Sequence, residues 1–213
     1  YIHGGYWQRG DKSVYSFLAQ PFVAQGISVA LINYVFCPNV RLSAIAPQVR
    51  QALAFLWRNA EELRINRDDY HLMGHSAGGH LMVEMMCTNW SDVASDLPRD
   101  FLKTGTPLSG IYDLEPLVSC SENSGLKLAE EEAHAVSPLF RGPVTNAPQL
   151  VGYGALETVG MCRQSVDYHE KFSGGERSMT LYAVPNVDHF DILDVLGDPG
   201  SELVSRALTL IRQ

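Results

Sequence analysis

Residues 69 to 83, Asp-Tyr-His-Leu-Met-Gly-His-Ser-Ala-Gly-Gly-His-Leu-Met-Val, constrain this chain more than any other stretch. Tyr70, Leu72 and Met73 read as the end of a short buried strand. From Ala77 onward Leu81, Met82, Met85 and Met86 fall at helical spacing. Between the two lies Gly74-His75-Ser76-Ala77-Gly78. A Gly-x-Ser-x-Gly turn from strand to helix holds its serine at a strained corner, exposed for nucleophilic attack. Side chains two residues to either side would collide with the strand and the helix, so glycine belongs there. The pentapeptide alone is a common string, expected by chance in about one chain of this size in fourteen. Its context, and the partners identified below, give it meaning.

Strands and helices alternate on both sides of this turn. Tyr1-Ile2 reads as a strand end, followed by His3-Gly4-Gly5-Tyr6-Trp7 and a polar turn from Gln8 to Asp11. A helix is expected over residues 13–24, kinked at Pro21, and a buried strand over residues 27–34. Residues 44–59 predict a helix with Val49, Leu53, Leu56 and Trp57 on one face. Further strands are expected over 102–108, 149–153 and 178–184, and further helices over 159–172 and 202–211. From Ile111 to Ala147 the periodicity lapses, with Pro116, Pro138, Pro143 and the acidic run Glu130-Glu131-Glu132. That stretch reads as a lid-like insertion over the sheet edge.

Alternation of this kind implies an α/β fold, a mainly parallel sheet with helices on both faces. A chain of 213 residues supports one sizeable core, so a single domain over 1–213 is expected. The start at Tyr1, inside a strand, reads as a fragment lacking its N-terminal strands. Ligands on such sheets bind beyond the carboxyl ends of the strands. His3, Ser76, Glu157 and His189 all follow expected strands, so they should gather on one rim.

The chemistry follows from those positions. A serine hydroxyl needs a base to take its proton as it attacks. His189, in Val187-Asp188-His189-Phe190-Asp191, lies after the last strand and completes the chain order serine, acid, histidine. His169 fits that order too but falls inside a helix. For the acid, Glu157 follows the strand ending at Tyr153, and Asp113 is the competitor; Asp188 and Asp191 are too close in sequence to face the ring. The backbone N–H of Ala77 and the turn Gly4-Gly5-Tyr6 are the expected oxyanion donors. His3, Trp7, Tyr112 and Phe190 are the candidate substrate contacts, with Tyr6, Trp7 and Phe190 walling a slot for a flat ring. His71, His75 and His80 are closely spaced, but no thiolate or carboxylate completes a ligand set, so neither metal nor other cofactor is expected.

Charge excludes some classes. The chain carries 24 acidic and 16 basic residues, a net charge of −8, without a basic run, which argues against nucleic acid and anionic membranes. Cys37, Cys87, Cys120 and Cys162 are scattered, as reduced thiols of a cytoplasmic protein would be. The expected partner is a small-molecule substrate, with a homodimer left open.

His3-Gly4-Gly5-Tyr6-Trp7, Gly74-His75-Ser76-Ala77-Gly78, Ser109-Gly110-Ile111-Tyr112-Asp113-Leu114, Arg163-Gln164-Ser165 and Asp188-His189-Phe190-Asp191-Ile192 together resemble the kynurenine formamidase (arylformamidase) family. The resemblance runs over nearly the whole chain. It implies the α/β-hydrolase fold and hydrolysis of N-formyl-L-kynurenine to formate and L-kynurenine in tryptophan breakdown. It also implies a serine, an acid and a histidine, which fall here on Ser76, Glu157 and His189; the family's animal members typically have Asp at the position of Glu157. A general carboxylesterase of small acyl esters would share every one of these residues. A non-catalytic binding protein on the same scaffold is the third reading, and it usually lacks the serine or the histidine.

Overall fold

The computed structural model describes residues 1–175 and 177–213. Strands β1 (Tyr70–His75), β2 (Leu102–Leu108), β3 (Gln149–Gly154) and β4 (Met179–Val184) form a parallel sheet in the order β1-β2-β3-β4. Ile2 extends it beyond β1, bridging Gly74 on one side and Ile32 on the other, both in parallel. The sheet is covered on both faces, as parallel sheets require. On one face lie α1 (Ile45–Arg58), α2 (Ala77–Met86) and α3 (Val159–Phe172). On the other lie α4 (Asp191–Gly197), α5 (Glu202–Ile211) and the segment 12–23. Alternation along β3 serves the two cores in turn: Leu150 faces the second and Val151 the first.

Local sequence explains the helices. Helix α1 buries Ile45, Ala46, Val49, Leu53 and Ala54, a helical stripe, and Pro47 sits harmlessly in its first turn. Every residue of α2 is buried, because it lies between the sheet and α1. Thr158 and Ser201 cap α3 and α5 by accepting from the N–H groups of Met161 and Val204.

Two expectations need correction. The helix expected over 13–24 is a 3-10 helix, Lys12–Ala19, followed by one α-turn, Gln20–Val23. Pro21 has no N–H for the carbonyl of Phe17, which accepts from Gln20 instead and tightens the turn. Residues 27–33 are half-buried or exposed, Tyr34 is buried, and the segment bridges only through Ile32. The segment meets its neighbour through the Ile32 N–H to the Tyr1 carbonyl and one parallel bridge at Ile2, which is short of a ladder. Residues 111–147 contain four short helical turns and bury Ile111, Tyr112, Leu114, Leu126, Leu128 and Ala133. Ion pairs Arg41–Glu132 and Arg141–Glu84 tie this stretch to the body. All four cysteines are free, and no helix among the described residues is long and apolar enough to cross a membrane.

Candidate active site

Ser76 follows β1 directly and stands at φ 56° and ψ −122°, a strained conformation for a residue with a side chain. The flanking glycines are required. A Cβ on Gly74 would lie 2.2 Å from the carbonyl oxygen of Gly78, and one on Gly78 would lie 2.0 Å from that of Ile2. The turn therefore packs against both its own helix and the neighbouring strand end.

Three side chains that the sequence placed on one rim meet there. His189 Nε2 lies 3.0 Å from Ser76 Oγ, and His189 Nδ1 lies 3.0 Å from Glu157 Oε2. With the proton on Nδ1, the ring donates to the carboxylate and turns the Nε2 lone pair toward the serine hydroxyl. Glu157 Oε1 accepts from the Gly154 N–H at 2.7 Å and from Ser109 Oγ at 2.5 Å. The Glu157 side chain is 0% exposed and that of His189 21%. Burial alone would raise the Glu157 carboxyl. The hydrogen bonds from His189, Ser109 and Gly154 outweigh it and hold the group below the ordinary range. The competing acid, Asp113, turns away and accepts from the Glu115 N–H at 2.9 Å. His169 lies within α3, its Nε2 3.3 Å from the Met179 carbonyl oxygen.

Ser109 was not anticipated. It follows β2, is fully buried and has φ 48°. Its position at the carboxyl end of a strand was the available signal. His75 has a place here that its spacing with His71 and His80 does not signal. It is 3% exposed, and its Nε2–H donates to the main-chain carbonyl of His189 at 2.8 Å. Asp188 Oδ1 accepts from the N–H groups of Phe190 and Asp191, at 2.7 and 3.0 Å, and so curls the loop that carries His189. The other two rings weighed as ligands are engaged separately: His71 meets Asp69 and Thr104, and His80 meets Trp7 and Val136.

The Gly4-Gly5-Tyr6 turn lies directly over the elbow. A Cβ on Gly4 would stand 2.9 Å from Ser76 Cβ, and Gly5 adopts φ +119°. Tyr6 and Trp7 have φ of 51° and 55°. Among the described residues the N–H groups of Gly5, Tyr6 and Ala77 donate to no protein acceptor. Ala77 is the first residue of α2, where no intrahelical acceptor exists. Unengaged amides close to a serine hydroxyl are suited to stabilising an oxyanion.

The substrate contacts expected from the aromatic residues divide. Phe190 is 73% exposed, with its ring edge-on to His189 at 5.3 Å. Trp7 does not wall a slot: it is 0% exposed, and its indole N–H donates to His80 Nδ1 at 3.2 Å. His3 is also internal, stacked between Tyr15 and Tyr34, with Nδ1–H donating to the Gly4 carbonyl at 2.7 Å. Tyr112 is fully buried against Tyr168. In each case the large ring fills the core, where its burial is most favourable. Tyr6 borders a cleft of about 220 Å³ with Gln8, Arg9, Ser121, Glu122 and Ser124. A larger cavity, about 570 Å³, lies beside residues 27–32 and 69–73, and none of the candidate site residues lines it.

Known proteins resemble this chain in sequence and in fold. The family model described as BD-FAE matches residues 1–93. The kynurenine formamidase of Salmo salar is 32% identical over 217 residues, which cover 99% of this chain and 71% of that protein. A crystal structure from Silicibacter, provisionally called a thioesterase, superposes with a TM-score of 0.81 at 31% identity, over 96% of this chain and 72% of that one. An esterase from Pyrobaculum calidifontis shares the fold, with a TM-score of 0.79 at 18% identity, over 100% of this chain and 74% of that one.

Proposed function

The chain belongs to the kynurenine formamidase family of α/β-hydrolases, and from that premise we propose that it cleaves an aryl formamide, N-formyl-L-kynurenine, to L-kynurenine and formate. The unbroken run of contacts from Ser76 through His189 to the buried carboxylate of Glu157 supports acyl transfer. The observation that favours a formamide is the 32% identity to the Salmo salar kynurenine formamidase over 99% of the chain.

In this reading Ser76 Oγ attacks the formyl carbon while His189 Nε2 takes its proton, and Glu157 stabilises the imidazolium that forms. The oxyanion is held by the amides of Gly5, Tyr6 and Ala77, with Gly4 allowing the close approach. His189 then protonates the departing aryl amine, a better leaving group than an alkyl amine. The formyl ester on Ser76 is released when the same histidine deprotonates water. Phe190 meets the aryl ring at the rim, and residues 111–147 serve as the lid that shapes the pocket within a single domain. A small molecule is the partner throughout, with no nucleic acid or membrane required. Four unpaired thiols fit a cytoplasmic location.

Formate release from N-formyl-L-kynurenine, measured beside turnover of p-nitrophenyl acetate, tests the proposal. Efficient formamide hydrolysis supports it. Ester turnover without formate release removes the formamidase reading and leaves a general carboxylesterase.

A further inference from the structure

The residue just before Ser76 is a histidine that neither the proposed relay nor the fold requires by its type. His75 is the last residue of β1 and contacts three parts of the site. Its peptide is continuous with Ser76. Its carbonyl oxygen lies close against the oxyanion turn, 2.9 Å from where a Gly4 Cβ would be. Its side chain reaches the loop of the base, donating from Nε2 to the His189 carbonyl at 2.8 Å, with the two rings 4.7 Å apart at 44°. A carbonyl accepts only, so this bond fixes the proton of a neutral His75 on Nε2.

We propose that His75 is a positioning residue: its hydrogen bond to the His189 main chain sets the distance between base and nucleophile. The inference rests on the reading of His189 as the base. The bond acts on the backbone of the residue whose ring must reach Ser76, so a shift there moves Nε2 directly. Loops tend to be the mobile part of such a site, and this bond pins one to the rigid end of a strand. The ring also remains uncharged beside an imidazole that becomes positive during the reaction. Burial, then the adjacent His189, pushes the His75 pKa down to about 3; the groups facing it are His189 and Glu157, and the hydrogen bond to the His189 carbonyl and then the carboxylate only partly offset this.

The test compares His75→Phe, which keeps a ring but no donor, with His75→Gln, whose amide restores one. Loss of a single positioning hydrogen bond is expected to lower kcat about tenfold, with KM within about twofold. Labelling of Ser76 by an organophosphonate should slow in proportion, and His75→Gln should recover to within about threefold of wild type. Equal impairment of the two variants, or His75→Phe within twofold of wild type, would overturn the proposal. Should His75→Phe fail to fold, nitrogen NMR of the unmodified protein decides: His75 must be the Nε2–H tautomer at neutral pH, and the Nδ1–H tautomer or a charged ring refutes it. Absence of Ser76 labelling in the wild type would instead refute the hydrolase reading itself.

Discussion

Replacing Glu157 with Gln isolates what the buried carboxylate does for the relay. Oε1 receives two donors, the Gly154 N–H and the Ser109 hydroxyl, whereas Oε2 receives one, from His189. A glutamine amide must therefore put its oxygen at the first position and its NH2 at the second, because the reverse sets NH2 against two donors. His189 then faces a donor through Nδ1 and has to accept there, which moves its own proton to Nε2. That proton points at Ser76 Oγ, and the ring can no longer act as base. The equivalent change in a serine-protease relay costs about 10⁴-fold in kcat. A loss of about 10³–10⁴-fold, or roughly 4–5 kcal/mol of barrier, is expected here. The assay is formate release near neutral pH, with circular dichroism to show that the fold persists. A folded Glu157→Gln variant within tenfold of wild type would refute the reasoning, and so would a larger loss in Asp113→Asn, which should stay within about twofold.

Three further outcomes follow from the same contacts. Ser109→Ala removes one donor to the Glu157 carboxylate, so kcat should fall about tenfold with the fold retained; a kcat within twofold of wild type would count against the role of Ser109. Gly78→Ala drives a Cβ into the backbone of Ile2, so urea denaturation should show a loss of about 3 kcal/mol or more, and a midpoint equal to wild type would contradict it. Stability should also fall with acid: below 6.5 the unfolded chain protonates His75 and His80, whereas burial pushes their folded pKa values down to about 3 and about 4. Below 4.5 Glu157 adds to the loss, since its folded pKa lies under that value. Urea midpoints that do not decline between pH 7 and pH 5 would exclude this.

Much of the site was legible because its parts carry local signatures. Ser76 sits between glycines whose absence of Cβ is demanded by backbone atoms about 2 Å away, and His189 follows the last strand. Glu157 could be preferred to Asp113 by position along the chain, though only the fold shows Asp113 turned to its own Glu115 N–H. What escaped was the destination of long side chains. Trp7 looked like a pocket wall, but a ring next to a glycine turn can point inward as readily as outward, and here a partner, His80, waits inside. The role of His75 was equally hidden, since its acceptor is a backbone carbonyl 114 residues away, and carbonyls have no identity in a sequence. Residues 27–34 have strand composition, but a ladder depends on which backbone lies alongside, which composition does not encode.

One hydroxyl, that of Ser76, has to be the nucleophile for a formamide. Formate release from N-formyl-L-kynurenine by Ser76→Ala, beside folded wild type, tests that most directly. Removing the nucleophile of such a relay should lower kcat by at least about 10³-fold, whereas a folded variant retaining a tenth of wild-type formate release would contradict the mechanism.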